Sequence, residues 1–162
     1  MGLRYITGDI TQVEVGAIVN AANARGYMGG WLGRYVKLRG VAESIHYATA
    51  GKVEREAKRV ARAECPQLGD VYVTGGYNLP ARWVLHAVTM LKPGSRSSLA
   101  TVECCVDNVL ATCHRLGVQS VAVPLLGTGT GRLDVAEVEA VYADKFGQVE
   151  RVDVVVVRPF RT

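Results

Sequence analysis

Apolar and polar positions along this chain follow two rhythms. Short, nearly continuous apolar runs stand at residues 3–6, 17–19, 71–74, 83–90, 121–126 and 152–157. Such runs, rich in Val and Ile and bounded by Gly, Pro, Asn or Asp, predict strands. The last holds five valines in six residues, the composition of a strand covered on both faces. Between these runs the apolar positions recur at helical spacing. Residues 41–64 are helical in character, divided at Gly51 and ended by Cys65-Pro66. The second piece carries Val53, Ala57, Val60 and Ala61 on one face and leaves its charges, Glu54 among them, mostly solvated. Ser98 caps a further helix with the stripe Val102, Cys105, Val109, Cys113 and Leu116, stopped by Gly117. Asp134 and Glu137 make a capping-box-like start to a last helix, which runs to Phe146.

Strands and helices in alternation predict an α/β fold, with helices on both sides of a largely parallel or mixed sheet. The 162 residues suit one domain with a single core. Ligands in such folds sit at the C-terminal ends of strands. Three loops leave predicted strand ends with polar or glycine-rich residues: 20–23, 75–78 and 127–131. The last is the most informative. An apolar run feeds Gly127, Thr128, Gly129, Thr130 and Gly131, and a helix start follows. A backbone with so few Cβ atoms can aim several N–H groups at one anion, which suggests a phosphate or pyrophosphate cradle. The plainer alternative is a strand-to-helix turn that needs glycine for its geometry. Arg132 and Leu133 stand where a P-loop needs Lys and Ser or Thr. The spacing GxGxG near the chain's end does not fit a dinucleotide fingerprint, which opens its fold. A nucleotide-type ligand without Walker chemistry survives.

Composition narrows the classes further. No apolar run approaches the roughly 20 residues that span a bilayer, and the opening MGLRYITGD lacks a signal peptide's apolar core. An intracellular, cytoplasmic protein without membrane contact is expected. The net charge of +4 fits a phosphorylated ligand and only weakly suggests nucleic acid, because residues 52–62 mix both signs as a solvated helix face does. Cys65, Cys104, Cys105 and Cys113 form no CxxC pair and have no His at ligand spacing, so core thiols are expected, with no metal and no cofactor.

The motifs then combine. Gly8-Asp9-Ile10-Thr11, the run AIVNAAN at residues 17–23, residues 77–86 and the segment 120–131 stand in order along nearly the whole chain. Together they resemble the macro domains, modules that bind ADP-ribose. The resemblance implies a three-layer α/β/α sandwich with a central mixed β-sheet, binding ADP-ribose or a derivative through Gly-rich backbone loops. It implies that Asp9 accepts from the adenine amino group, supported by the Ile10 amide; Asp9 also fits an N-cap, with Gln12 completing a capping box. Asn20 and Asn23 follow a strand end, where an amide donates and accepts at once. By resemblance Asn23 faces the distal ribose and is the candidate catalytic residue, while Asn20 holds the loop. Gly29, Gly30, Gly40 and Val41 correspond to the first phosphate loop, and residues 127–131 to the second. His86 reads as strand core, His46 as a helix residue and His114 as surface.

Two departures stand out. Residues 31–39, with three cations and two aromatics, interrupt the first phosphate loop as an insertion at the cleft rim. They are expected to cover the distal ribose, to contact an ADP-ribosylated protein, or simply to pack Trp31 on the domain. Ala42 stands where the branch that removes ADP-ribose from acidic side chains has a water-orienting Asp, and the neighbouring Glu43 is expected to point about 100° away on its helix. Aromatic cover for the ligand is sought from Tyr77, Trp31 or Phe160. Three readings stay open: a pure binder; a metal-independent hydrolase acting on ADP-ribose-1″-phosphate, O-acetyl-ADP-ribose or protein-linked ADP-ribose; and a module for poly-ADP-ribose or RNA.

Overall fold

All six predicted strands form, and they join in one sheet. The computed structural model describes residues 2–161. Its strands are β1 (Leu3–Thr7), β2 (Ala17–Asn23), β3 (Val71–Gly75), β4 (Trp83–Met90), β5 (Ser120–Pro124) and β6 (Asp153–Arg158). Their order in the sheet is β1-β6-β5-β2-β4-β3, with every pairing parallel except β3 with β4. The helices are α1 (Gly30–Gly33), α2 (Val41–Ala48), α3 (Lys52–Glu64), α4 (Leu99–Leu116) and α5 (Val135–Phe146).

Alternation inside the apolar runs builds the two cores. Ala17 and Val19 of β2, Leu85 and Ala87 of β4, and Val154 and Val156 of β6 face α4 and α5. Their neighbours Ile18, Val84, Val88, Val155 and Val157 face α2 and α3 on the other side. The three-layer α/β/α sandwich around a mixed sheet is thereby the observed fold. Each fully buried valine in it contributes about 1.5–3 kcal/mol of hydrophobic stabilisation. Asp134 caps α5 through the Glu137 amide and Ser98 caps α4 through the Thr101 amide, as their sequence patterns predict.

Two readings shift. β2 continues to Asn23, with an irregularity between Ala22 and Asn23, so residues 21–23 are strand where a loop was expected. The apolar run and the parallel ladder to β4 outweigh the turn preference of the asparagines. Residues 75–78 leave the opposite edge of the sheet from the other strand ends, because β3 runs antiparallel and Gly75 pairs with Trp83 at the start of β4.

Candidate functional site

Strands β1, β2, β4, β5 and β6 run in one direction, so their C-terminal ends share one edge of the molecule. Asp9 leaves β1 there. It is the N-cap of a 3-10 turn, Ile10–Gln12. Its Oδ1 accepts from the Thr11 amide at 2.9 Å and the Thr11 hydroxyl at 2.7 Å. Its Oδ2 accepts from Lys37 Nζ at 2.9 Å. Burial works to raise this carboxyl, but the Thr11 and Lys37 bonds outweigh it and hold the group below its usual range. Phe160, 69% exposed, lies just past the end of β6, and the Arg158 carbonyl of that strand accepts from the Gly8 amide beside Asp9.

The first loop is held by a buried carboxylate that the sequence pattern hides. Glu54, 1% exposed, accepts from the amides of Met28 at 2.7 Å and Gly30 at 3.0 Å through one oxygen. Its other oxygen accepts from Lys58 Nζ at 2.9 Å. Burial raises the Glu54 carboxyl, yet Lys58, Gly30, Met28 and His46 together bring it below its usual value. His46 donates through Nε2 to the Gly30 carbonyl at 2.6 Å. The expectation that Glu54 is solvated is thus corrected. It lies beside Val53 and three residues before Ala57, both fully buried, which was the signal available in the sequence. The Gly30 amide is committed to Glu54, while its neighbour Gly29 turns at φ 140°. Gly40 takes φ 122° to lead into α2, where Val41 and Ala42 are first-turn residues whose amides have no intrahelical acceptor. Glu43 lies against the first loop, with its carboxylate beside Gly40 and its stem beside Gly29, and burial holds the carboxyl above its usual value.

The second loop is anchored from below. Tyr142 of α5, fully buried, donates to the Pro124 carbonyl at 2.6 Å and accepts from the Leu126 amide at 3.0 Å. It lies four residues after Val138 and four before Phe146, so the apolar stripe of α5 marks it, but not its bond to the loop. Gly127 turns at φ 77°, and the Leu133 amide closes back on its carbonyl at 2.9 Å. A Cβ on Gly131 would stand 2.5 Å from the Gly127 carbonyl oxygen, so that position requires glycine. The Thr128 amide and hydroxyl both turn to the Leu125 carbonyl. Among the described residues the amides of Gly127, Gly129, Thr130 and Gly131 meet no protein acceptor. Gly129 and Thr130 are exposed, while Gly127 and Gly131 are buried, so two of these four donor residues lie at the surface.

Asn20 and Asn23 both serve the scaffold. Asn20 donates from Nδ2 to His86 Nδ1 at 3.1 Å, and His86 Nε2 pairs with the Thr74 hydroxyl at 2.9 Å. Tyr72 stacks on His86 with centroids 4.7 Å apart. This buried chain ties β2, β4 and β3 together, and burial pushes His86 down to about 3, keeping it neutral. Asn23 holds the loop that Asn20 was expected to hold: its Oδ1 accepts from the Arg25 and Tyr27 amides, and its Nδ2 donates to the Tyr27 carbonyl at 2.8 Å. Tyr77 follows β3 at the far edge, where its hydroxyl donates to Glu56 at 2.7 Å, so it does not reach this site. Trp31, 73% exposed, packs edge-on against Tyr35. Cys65 and Cys104 are exposed rather than core, and Cys105 and Cys113 are buried, because only the latter two share the α4 stripe. An open groove of 740 Å³ beside α3 carries Arg34, Arg55, Arg59 and Arg62 together with ion-paired Glu54 and Glu56, the mixed-sign face expected. Among the described residues no helix is long and apolar enough to cross a membrane.

The macro domain family model matches residues 19–142. A protein of Aeropyrum pernix is 39% identical over 131 residues, covering 81% of this chain and 63% of that protein. The ADP-ribose glycohydrolase MACROD2 of Xenopus laevis is 32% identical over 130 residues, covering 77% of this chain and 28% of its own length. The chain therefore spans less than two thirds of these relatives. The macrodomain of Mycobacterium tuberculosis DarG superimposes with a TM-score of 0.84 at 25% identity, covering 99% of this chain and 100% of that one. The Oceanobacillus iheyensis macrodomain with ADP superimposes with a TM-score of 0.80 at 25% identity, covering 98% of this chain and 83% of that one.

Proposed function

We infer the function from one premise: this chain belongs to the macro domain family. It binds ADP-ribose or a derivative at the shared edge of its parallel strands. The observation that carries this reading is the set of second-loop amides without protein acceptors, together with the first-turn amides of α2, which have no intrahelical acceptor. Such donors favour a pyrophosphate without any metal or Walker lysine. Asp9, held ionised by Thr11 and Lys37, supplies a carboxylate that accepts from the adenine amino group, beside the Ile10 amide. Guanine presents a carbonyl at that place and is disfavoured there. A relative named ADP-ribose glycohydrolase and a structural neighbour with ADP support the ligand class.

Calorimetry with ADP-ribose and with GDP tests the assignment. Wild type binds ADP-ribose and scarcely binds GDP, and Asp9→Asn erases the preference. Equal affinity for both nucleotides in the wild type sinks the role given to Asp9.

Hydrolysis of ADP-ribose conjugates is a second reading, favoured by the name of the Xenopus relative. Ala42 offers no group to orient water, and three bonds hold Asn23 to its own loop. Catalysis would come from main-chain amides that stabilise developing charge on the ligand. Release of product from ADP-ribosylated protein, O-acetyl-ADP-ribose or ADP-ribose-1″-phosphate separates it from pure binding.

A further inference from the structure

Periodicity assigns residues 52–62 to a solvated helix face of mixed sign, yet the fold withdraws one of the two signs. Five cations and two carboxylates line the groove beside α3. Glu54 is turned inward and commits both oxygens to the Met28 and Gly30 amides and to Lys58. Glu56 accepts from the Gly75 amide at 3.2 Å and the Tyr77 hydroxyl at 2.7 Å, and its other oxygen stands 3.9 Å from Arg59. Among the described residues Arg34, Arg55 and Arg62 meet no carboxylate. Arg34 packs over Gly51 at the start of α3, where its Nε is shielded from solvent and has no acceptor among the described residues. A guanidinium only donates, so a shielded N–H without an acceptor carries a cost that an anionic ligand removes.

The remaining charge is laid out as a line. Arg55, Arg59 and Arg62 are exposed and stand at i, i+4 and i+7 of α3. That spacing places them on one helix face over about 10 Å. Arg34 continues the line past the N-cap Gly51. Like charges at this spacing repel one another, so the row does not serve the helix itself. A line of cations fits a linear polyanion better than a single phosphate. Two half-exposed tyrosines border it. Tyr77 lines the groove, and Lys58 Nζ stands over the Tyr27 ring, 5.4 Å from its centroid. Exposed rings offer little to an acidic peptide or a polyphosphate. The bases of a single strand stack on such rings while guanidinium groups take its phosphates.

We propose that this groove is a binding track for single-stranded nucleic acid, in which Arg34, Arg55, Arg59 and Arg62 take backbone phosphates and Tyr77 and Tyr27 take bases. The track stands on side chains outside the strand-end site and is independent of the ADP-ribose reading.

Fluorescence anisotropy tests it with a labelled oligothymidylate and an abasic oligomer carrying the same number of phosphates. Wild type is expected to bind the oligothymidylate, and a plot of log affinity against log salt should fall with a slope of about −3, as four phosphate contacts on a single strand predict. The abasic oligomer should bind at least about fivefold more weakly, because each base stacked on a ring contributes that factor or more. Replacing both Arg55→Ala and Arg62→Ala should weaken oligothymidylate binding and bring the slope nearer zero by about 1.4. Both side chains are exposed, and an unchanged unfolding midpoint establishes that α3 is intact in the double variant. No binding by wild type at low salt overturns the proposal. Equal binding of the abasic oligomer would mark a general polyanion surface and overturns it too. Wild-type affinity and slope in the double variant would move the nucleic acid to another face of the protein, which overturns it as well.

Discussion

Replacing Glu54 tests how the first loop is held. Its carboxylate is 1% exposed and has three donors: the Met28 and Gly30 amides and the Lys58 ammonium. Glu54→Ala strands both amides, and the Met28 contact is buried. An unsatisfied buried donor costs about 1–3 kcal/mol, and removing one partner of a buried ionic cluster costs about 3–5 kcal/mol. The Gly30 side is only partly buried and Lys58 is free to turn to water, which places the expected loss near the lower end, about 3 kcal/mol. With a urea slope of about 2 kcal/mol/M, the unfolding midpoint falls by about 1.5 M. Glu54→Gln keeps an acceptor for the amides but turns an NH2 toward Lys58, and should lose about half as much. Glu54 is held below its usual value, so its stabilisation is present above the unfolded value of about 4.5 and fades as pH falls through the lower folded value. The gap between wild type and Glu54→Gln should therefore narrow in acid. Because the loop carries Gly29, ADP-ribose affinity should fall along with stability in Glu54→Ala. A loss under about 1 kcal/mol with unchanged affinity would refute the claim that this carboxylate shapes the loop.

Two further outcomes are expected. His86 is pushed down to about 3 by burial, so it is neutral in the fold, while the unfolded chain takes up a proton below about 6.5. Stability should then fall by about 1.4 kcal/mol per pH unit below that point, and urea unfolding of wild type against His86→Asn between pH 7 and 4.5 should show this slope only in the former. Gly131→Ala sets a Cβ 2.5 Å from the Gly127 carbonyl oxygen, so the donor row must shift; calorimetry should show ADP-ribose binding weakened at least tenfold, and an unchanged affinity would remove the second loop from the site.

Local chemistry explains which parts were legible in the chain. The valine runs and the Ser98, Asp134 and Gly117 signals predict elements that the structure contains, because each depends on neighbours a few residues away. The direction of β3 was not legible. Its alternation is the same whether it runs up or down, so the loop at residues 75–78 was credited to the wrong edge, and Tyr77 with it. The extra strand length at residues 21–23 was hidden for a similar reason: asparagine suggests a turn, and only the partner strand β4 makes it a ladder position.

Burial of charge was the harder case, and Glu54 and Asp9 show why. Helical periodicity sorts residues by polarity, so a glutamate among Lys52, Arg55 and Lys58 is assigned to water. Two backbone amides 24 and 26 positions earlier override that assignment, since an unpaired amide there would cost more than the buried carboxylate does once bonded. Asp9 is the reverse: its cap to Thr11 is two residues away and was legible, whereas its bond to Lys37 crosses 28 positions. The composition of residues 31–39 revealed a cationic segment, but the target of those cations depends on how α1 rests against His46 and how Arg34 meets Gly51. The same carboxylate thus combines a local bond that holds its geometry with a distant one that occupies its second oxygen.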